Sequence, residues 1–335
     1  MEQSLSVVIL AYNHSKFINE CLNSLLWQDD AVSQVVIVDD CSNDDTVTQI
    51  DSWIKCHKTS ASFDLLFIRN QKNEGTLSSI VKAVSNNRSD IVKLIGGDDF
   101  FVPGALRNIK NFFHEHCIDV LSTRVVPFVD TARGHQFVYD YGVSFREKKK
   151  GFFKLSASEQ FKRLSLRNRI DAPGTVFRRG ILDYLNLLRS KVRIVEDWPL
   201  WLILTKENTR IDFFDEITVF YRRHANQVTS SISESVARVS YIRDHVQIYE
   251  YLIIPHLKEF GRFERKIILD NYAYYRWKAG LLDSSESRLT FGLKHPTITL
   301  RKLAGLSTRI LHPRLGEPFE FSKEGLKLAV TNFLE

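Results

Sequence analysis

An α/β fold, with a mostly parallel sheet flanked by helices, is predicted by three features of this 335-residue sequence. Short apolar runs rich in β-formers alternate with helical-period stripes through the first 125 residues. The runs are largely apolar, as in strands covered on both faces. Polar residues collect just after each run, where an open parallel sheet binds its ligands.

Leu5–Ala11 reads as the first strand, and Phe17, Ile18, Cys21, Leu22, Leu25 and Leu26 then recur at helical spacing. Val35–Val38 is a second buried strand. Ser42 followed by Asp45 resembles a capping box, ahead of a helix through Ile50, Trp53 and Ile54. Leu65–Ile68 is the third strand, Leu77, Ile80, Val81 and Val84 mark the next helix, and Ile91–Ile95 is the fourth strand. Pro103 stands where a helix should begin, before Leu106, Ile109, Phe112 and Phe113. Repeated units of this kind imply a parallel sheet covered by helices. From 126 to 195 the pattern is less regular, and KKKGFFK at 148–154 reads as a loop leading into a helix. From about 232 the chain reads as mostly helical, with Ile242, Val246, Tyr249 and Leu252 in one stripe.

Composition narrows the function. Residues 1–120 carry 10 Lys+Arg against 16 Asp+Glu, whereas residues 121–335 carry 36 against 24. The acidic part suggests metal handling, and the basic part suggests anionic partners such as phosphates or lipid head groups. No basic cluster is interleaved with aromatics in a nucleic-acid module, so nucleic acid is not an expected partner. Cys21, Cys41, Cys56 and Cys117 lack C-x-x-C spacing, which indicates neither a zinc site nor a disulfide framework. A reducing cytosol is the expected setting. The first residues read as a strand rather than a signal peptide, and no apolar run approaches the roughly 20 residues that span a bilayer.

Four polar constellations fall on the same rim of the expected sheet: Ala11-Tyr12-Asn13, Asp39-Asp40, Asn73-Glu74-Gly75 and Gly96-Gly97-Asp98-Asp99. Adjacent carboxylates such as Asp98 and Asp99 repel unless a cation or hydrogen-bond donors compensate. Magnesium or manganese, sharing few carboxylates with phosphate oxygens, suits such a pair; a loop pair capping the next turn is the plain alternative. Asp39 or Asp40 can accept a hydrogen bond from a base N–H, or simply shape the Asp-rich turn. Tyr12 can stack on a base or close the strand end. Further on, Glu196-Asp197-Trp198 opens an apolar run, either as a general base with its neighbours or as an acidic helix start. Tyr221-Arg222-Arg223-His224 follows a strand at Ile217–Phe220. There an imidazole can complete a metal shell, and the arginines can clamp phosphate or stand in solvent.

Taken together, the stretches SVVILAYNHSKFINECLNSLLWQ, VVIVDDCSNDDT, NEG, GGDDFFVPGAL, VEDWPLWLIL and YRRHANQVTS resemble the family 2 glycosyltransferases of the GT-A fold, a Rossmann-like architecture. The first four carry the resemblance over residues 5–125, and the last two extend it to about 231. The resemblance implies a domain over 1–231, with a nucleotide-sugar-binding half (1–125) and an acceptor-binding half (126–231), then a helical region over 232–335. It implies that Ala11, Tyr12, Asn13, Asp40, Asn73, Gly75, Asp98, Arg222 and Arg223 line the donor site, with Asp40 on the base. Asp98, Asp99 and His224 would hold a divalent metal, Mn²⁺ or Mg²⁺, with Asp99 the favoured direct ligand. Asp197 would be the catalytic base, positioned by Glu196 and Trp198. Many relatives have an Asp where this chain has Gly96, which leaves open how Asp98 and Asp99 divide ribose and metal contacts.

The resemblance further implies an inverting transfer from a UDP-sugar to a saccharide acceptor on a polyprenyl diphosphate, in bacterial O-antigen or other surface polysaccharide synthesis. A nucleotidyltransferase would show a Gly-rich phosphate loop after the first strand, where this chain has Ala-Tyr-Asn-His. A non-catalytic sugar-nucleotide binder would not need both Asp98-Asp99 and Glu196-Asp197. Finally, residues 287–316 hold Arg288, Lys294, Arg301, Lys302, Arg309 and Arg314 and no acidic residue. Leu300, Leu303, Leu306 and Ile310 fall near one face. That pattern suits a helix lying on the anionic cytoplasmic face of a membrane or an ordinary amphipathic helix on the protein's own core.

Overall fold

A computed structural model describes residues 3–28, 30–138, 151–224, 236–281, 294–298 and 315–334. Its centre is a ten-stranded sheet. Strands β1 (Leu5–Ala11), β2 (Gln34–Asp39), β3 (Asp64–Arg69) and β4 (Ile91–Gly96) are parallel, in the order β4-β1-β2-β3. Ala11 pairs with Asp39, and Leu10 with Gly96, so three strand ends finish level on one rim. Helices α1 (Ile18–Leu25), α2 (Thr46–His57), α3 (Thr76–Ser85) and α4 (Ala105–Glu115) complete this half. Val7, Val8, Ile9, Val35, Val36 and Ile37 are all fully buried, as strands covered on both faces require.

The second half makes the sheet mixed. After the two-residue β5 (Phe100–Phe101) and helix α4, the long β6 (Val120–Thr131) turns into the hairpin strand β7 (Gly134–Val138). Helix α5 (Ala157–Leu166) leads by a 3₁₀ turn to β8 (Thr175–Arg178), which pairs antiparallel with both β4 and β6. Helix α6 (Asp197–Lys206) precedes β9 (Ile211–Arg222), which runs parallel to β6 and antiparallel to β5. The irregular signal over 126–195 has a physical source here. Strands β6 and β8 belong to the mixed part of the sheet, and their pattern follows packing context more than an intrinsic period.

Helices α7 (Val236–Ile248) and α8 (Arg262–Lys278) confirm the helical character after 232. Val246 and Tyr249 are buried, with Leu252 packed beside them. One element departs from it: β10 (Leu315–Phe319) pairs antiparallel with β7, and α9 (Lys323–Leu334) follows. Phe319, Leu326 and Ala329 pack with Phe100, Phe128 and Phe220, so the end of the chain crosses the expected boundary at 231 and joins the sheet. Most of the basic stretch 287–316, and with it the candidate membrane helix, lies outside the described residues. Among the described residues no helix is long and apolar enough to cross a membrane.

Two helix starts differ from the sequence reading. Ser42 does not cap α2. Its hydroxyl donates to Asp39 Oδ2 and its backbone N–H to Oδ1, while Asp44 Oδ1 accepts the Thr46 N–H. Pro103 lies just outside α4, whose N-cap is Gly104 at φ +78°, a left-handed conformation that favours glycine.

Candidate active site

The rim is assembled from short loops after parallel strands. After β1, Ala11 is buried and Tyr12 is exposed. Asn13 is left-handed at φ 56°, a conformation Asn tolerates through local hydrogen bonding. Its N–H donates to Ser42 Oγ and its Oδ1 accepts the Asn43 N–H, so the loops after β1 and β2 hold each other.

Asp40 departs from the expected base contact. Its Oδ1 accepts from Asn70 Nδ2 and the Glu74 N–H, each at 2.8 Å, and its Oδ2 accepts from the Gly75 N–H at 2.8 Å. A carboxylate engaged by three donors from the loop after β3 is the anchor of that loop. Asn73 is exposed beside it, and Gly75 takes φ +88° with Arg193 O only 3.0 Å from where a Cβ would stand.

The turn after β4 separates its two carboxylates. Asp98 points outward: its Oδ2 faces Nε2 of His224 at 3.1 Å. Burial pushes the Asp98 carboxyl up, but the His224 bond and the charges of His14 and His224 outweigh it, and it lies below the usual range. Asp99 points inward, 2% exposed, and its Oδ1 accepts the Arg222 N–H at 2.9 Å. Burial and the neighbouring Asp98 charge push Asp99 well above the carboxylate range. Asp98 and Asp99 thus occupy different surroundings, Asp98 facing His224 and Asp99 held by the Arg222 N–H. Gly96 is explained as well. A Cβ there would stand 2.4 Å from Asp98 Oδ1, so in this turn the Asp98 carboxylate fills the space that a side chain at 96 would need.

The donor set can be tested for a divalent metal. One carboxylate and one imidazole converge, and among the described residues no group of three or more His, Cys, Asp or Glu is placed to hold an ion. Magnesium and manganese accept such sparse protein ligation when phosphate oxygens and water supply the rest. Beside the pair, His14 Nδ1 is buried without a hydrogen-bond partner, and burial lowers the ring's pKa. Gly97 leaves room for this ring, since a Cβ there would stand 2.9 Å from it. No local pattern singles out His14; tertiary packing brings it to Asp98.

Arg222 is not placed as a phosphate clamp. Its side chain is 2% exposed, and its guanidinium is paired with Glu20 and Asp130. Its Nε donates to Asp98 O at 2.8 Å, and the rings of Phe17 and Phe128 lie 4.7 and 4.6 Å away. His135 joins the cluster through Asp130 at 2.7 Å and Glu20 at 3.1 Å. Burial lowers the imidazole's pKa, but these two carboxylates prevail and raise it to about 9. Arg223, next in the chain, is exposed, with its N–H donating to Phe128 O.

Asp197 opens α6, where its charge meets the positive helix end and Pro199 costs no backbone bond in the first turn. Asn168 Nδ2 donates to Asp197 Oδ2 at 2.8 Å. Burial raises the Asp197 pKa against the bonds from Trp198 and Asn168. Burial, then the Asp197 charge, raises Glu196 to about 8. Trp198 is buried, donates Nε1 to Leu164 O at 2.9 Å, and packs on Tyr249. Asn168, invisible to sequence reasoning because its spacing from Asp197 carries no signal, is the side chain that orients the carboxylate.

The chain resembles known proteins in sequence and in fold. The profile of glycosyl transferase family 2 matches residues 6–179, just over half of the chain. An uncharacterised glycosyltransferase of Haemophilus influenzae is 22% identical over 79% of this chain and 89% of its own. The poly(ribitol-phosphate) beta-N-acetylglucosaminyltransferase TarS of Staphylococcus aureus is 31% identical over 35% of this chain and only 20% of its own length. A crystal structure of TarS in complex with UDP-GlcNAc has a TM-score of 0.54 at 20% identity, covering 82% of this chain and 73% of that one. A mannosyltransferase of Pyrobaculum calidifontis in complex with GDP-Man and Mn²⁺ has a TM-score of 0.50 at 13% identity, covering 92% and 81%. The fold is thus that of the GT-A glycosyltransferases. The chain belongs to glycosyl transferase family 2.

Two outcomes follow from the site's electrostatics. Arg222→Ala should lower unfolding stability by about 2–4 kcal/mol in urea titrations, since it strands Glu20 and Asp130. The figure is discounted because Asp130 is 44% exposed. Glu196, raised to about 8, contributes stability that is present at low pH and lost as pH climbs toward that value. The melting temperature of Glu196→Gln, minus that of the wild type, should therefore grow from about pH 5 to about pH 8; a flat difference would refute the raised pKa.

Proposed function

We propose that this glycosyltransferase moves a hexose-type sugar from a UDP-sugar to a saccharide acceptor, with inversion at the anomeric carbon. The observation that carries the reading is the opposite tuning of two carboxylates, Asp98 in the turn after β4 and Asp197 at the start of α6. Asp98 is held ionised, while Asp197 is pushed toward a proton-accepting range. Groups whose environments drive their pKa values apart mark charge-stabilising and acid–base roles.

The donor lies on Ala11, Tyr12 and Asn13, with Asn73 and Gly75 forming the wall that Asp40 anchors. Tyr12, exposed at the strand end, is the stacking surface for the base. Arg223 and His224 approach the diphosphate. A divalent cation, Mn²⁺ or Mg²⁺, held by Asp98 and His224 together with diphosphate oxygens, offsets the charge that grows on the leaving group. Asp197, oriented by Asn168, takes the proton of the acceptor hydroxyl as its oxygen bonds to the anomeric carbon and the bond to the diphosphate breaks. The mannosyltransferase with Mn²⁺ and the TarS complex with UDP-GlcNAc support the cofactor and the donor class.

The acceptor in this reading is a saccharide on a polyprenyl diphosphate, used in bacterial O-antigen or related surface polysaccharide assembly at the cytoplasmic face of the membrane. Its support is the basic excess of residues 121–335, 36 Lys+Arg against 24 Asp+Glu, which suits a diphosphate at an anionic surface.

UDP release from UDP-glucose, UDP-galactose and their N-acetyl forms tests the proposal. EDTA should abolish release and Mn²⁺ or Mg²⁺ should restore it; full activity in EDTA refutes the metal. Asp98→Asn should cost at least about 100-fold in turnover. Asp197→Asn should lower turnover about 10²–10⁴-fold with donor affinity by calorimetry nearly unchanged, and a lost affinity would remove the base role.

A further inference from the structure

Helix α7 begins at Val236, beyond the family profile and beyond the motifs read from sequence. Its Asp244 nevertheless reaches back to the segment that carries the proposed base. The residue is 5% exposed. Its carboxylate accepts three successive backbone N–H groups. Arg193 donates to Oδ1 and Oδ2 at 3.1 and 3.0 Å, Ile194 to Oδ2 at 2.7 Å, and Val195 to Oδ2 at 2.9 Å. Converging N–H groups of this kind form an anion-holding concavity, and their bonds to an ionised oxygen are strong. A buried carboxylate requires such compensation, so the segment and Asp244 fix each other. One residue, Glu196, separates Val195 from Asp197.

The other side of the same segment touches the donor loop. The carbonyl of Arg193 lies against Gly75, at 3.0 Å from a Cβ position there. The Gly75 N–H is held by Asp40. Residues 193–195 are therefore held by Asp244 on the helix side and lie, through Arg193, against the Gly75 loop that Asp40 anchors. Tyr241, almost one turn before Asp244, has its pKa raised by burial and then by the charge of Asp197, which places it within electrostatic reach of that residue.

We propose that Asp244 is a positioning residue that sets the placement of Asp197 over the donor loop, making helix α7 part of the catalytic framework. The proposal rests on the base reading of Asp197. Glu196 is faced by Asp197 and Asp244, and Asp197 by Asn168, Asp171 and Tyr241. His245, beside Trp198, is neutral because burial lowers its pKa to about 4. The Asp244 charge thus helps to keep the proton on Glu196, the neighbour of Asp197.

The test measures UDP release across pH for wild type, Asp244→Asn and Asp197→Asn, with whichever of the four UDP-sugars turns over fastest. Misplacing a catalytic group costs up to about 100-fold. Asp244→Asn should lower kcat about 10- to 100-fold and leave the donor KM within about twofold. It should also move the acid limb of the kcat profile, because Asp244 helps to keep the proton on Glu196 beside the base, and a loss of folded protein would not do that. Wild-type kcat with an unmoved limb in Asp244→Asn, while Asp197→Asn is inactive, overturns the positioning role and spares the base. Full turnover in Asp197→Asn fails the base reading itself. If Asp244→Asn does not fold, Asp244→Glu decides, because it keeps the charge but displaces the 193–195 segment. Its kcat should fall at least about threefold at unchanged KM, and wild-type kcat there overturns the proposal.

Discussion

The guanidinium of Arg222 is the charge around which the rim beside Asp98 is assembled. An arginine at 2% exposure, ringed by Phe17, Phe100 and Phe128, would cost several kcal/mol if left uncompensated. Compensation comes from three separate elements: Glu20 on α1, Asp130 on β6 and the Asp98 carbonyl in the turn after β4. His135, raised to about 9, brings a second positive charge. Two cations then face two anions, and the cluster is neutral as a whole. Helix α1, the β6–β7 hairpin and the Asp98 turn cannot move independently without breaking that balance. The backbone N–H of the same arginine holds Asp99 inward, which leaves Asp98 to face His224.

Adjacent residues of one type thus acquire opposite properties. Asp98 meets two imidazoles at the rim, whereas Asp99 meets a backbone N–H and a like charge in the interior. The same logic operates at α6, where Glu196 and Asp197 are neighbours in a partly desolvated place and share the penalty of ionisation. Local environment, not residue type, divides charge-stabilising from proton-accepting groups.

The C-terminal region is joined to this machinery. Strand β10 extends the sheet beside β7, and Phe319 and Phe321 stack near His135 and Phe100 behind the metal-suited turn. Helix α8 carries Asp270, buried and accepting from Lys266, His295 and Thr297, which ties the segment 294–298 to the body. Helix α7 supplies Asp244 to the segment before α6. A region with no recognisable motif therefore packs against the rim through aromatic rings and holds the segment before α6 through a buried carboxylate.

The sequence by itself determined the parallel half of the sheet and the rim. Val7–Ala11 and Val35–Val38 are apolar without interruption, and a strand buried on both faces leaves that local record. Asp98, Asp197 and His224 were legible because each stands beside a strand or helix end whose signal is also local. Tertiary structure alone decided what each group does. Asp40 and Arg222 lie in the same motifs, yet one is consumed by the Glu74–Gly75 backbone and the other by Glu20 and Asp130. Asn168 and Asp244 act on Asp197 and its preceding loop across 29 and 49–51 residues of chain. Partners that distant leave no period in the sequence, and the protonation of a carboxylate depends on neighbours that only folding supplies.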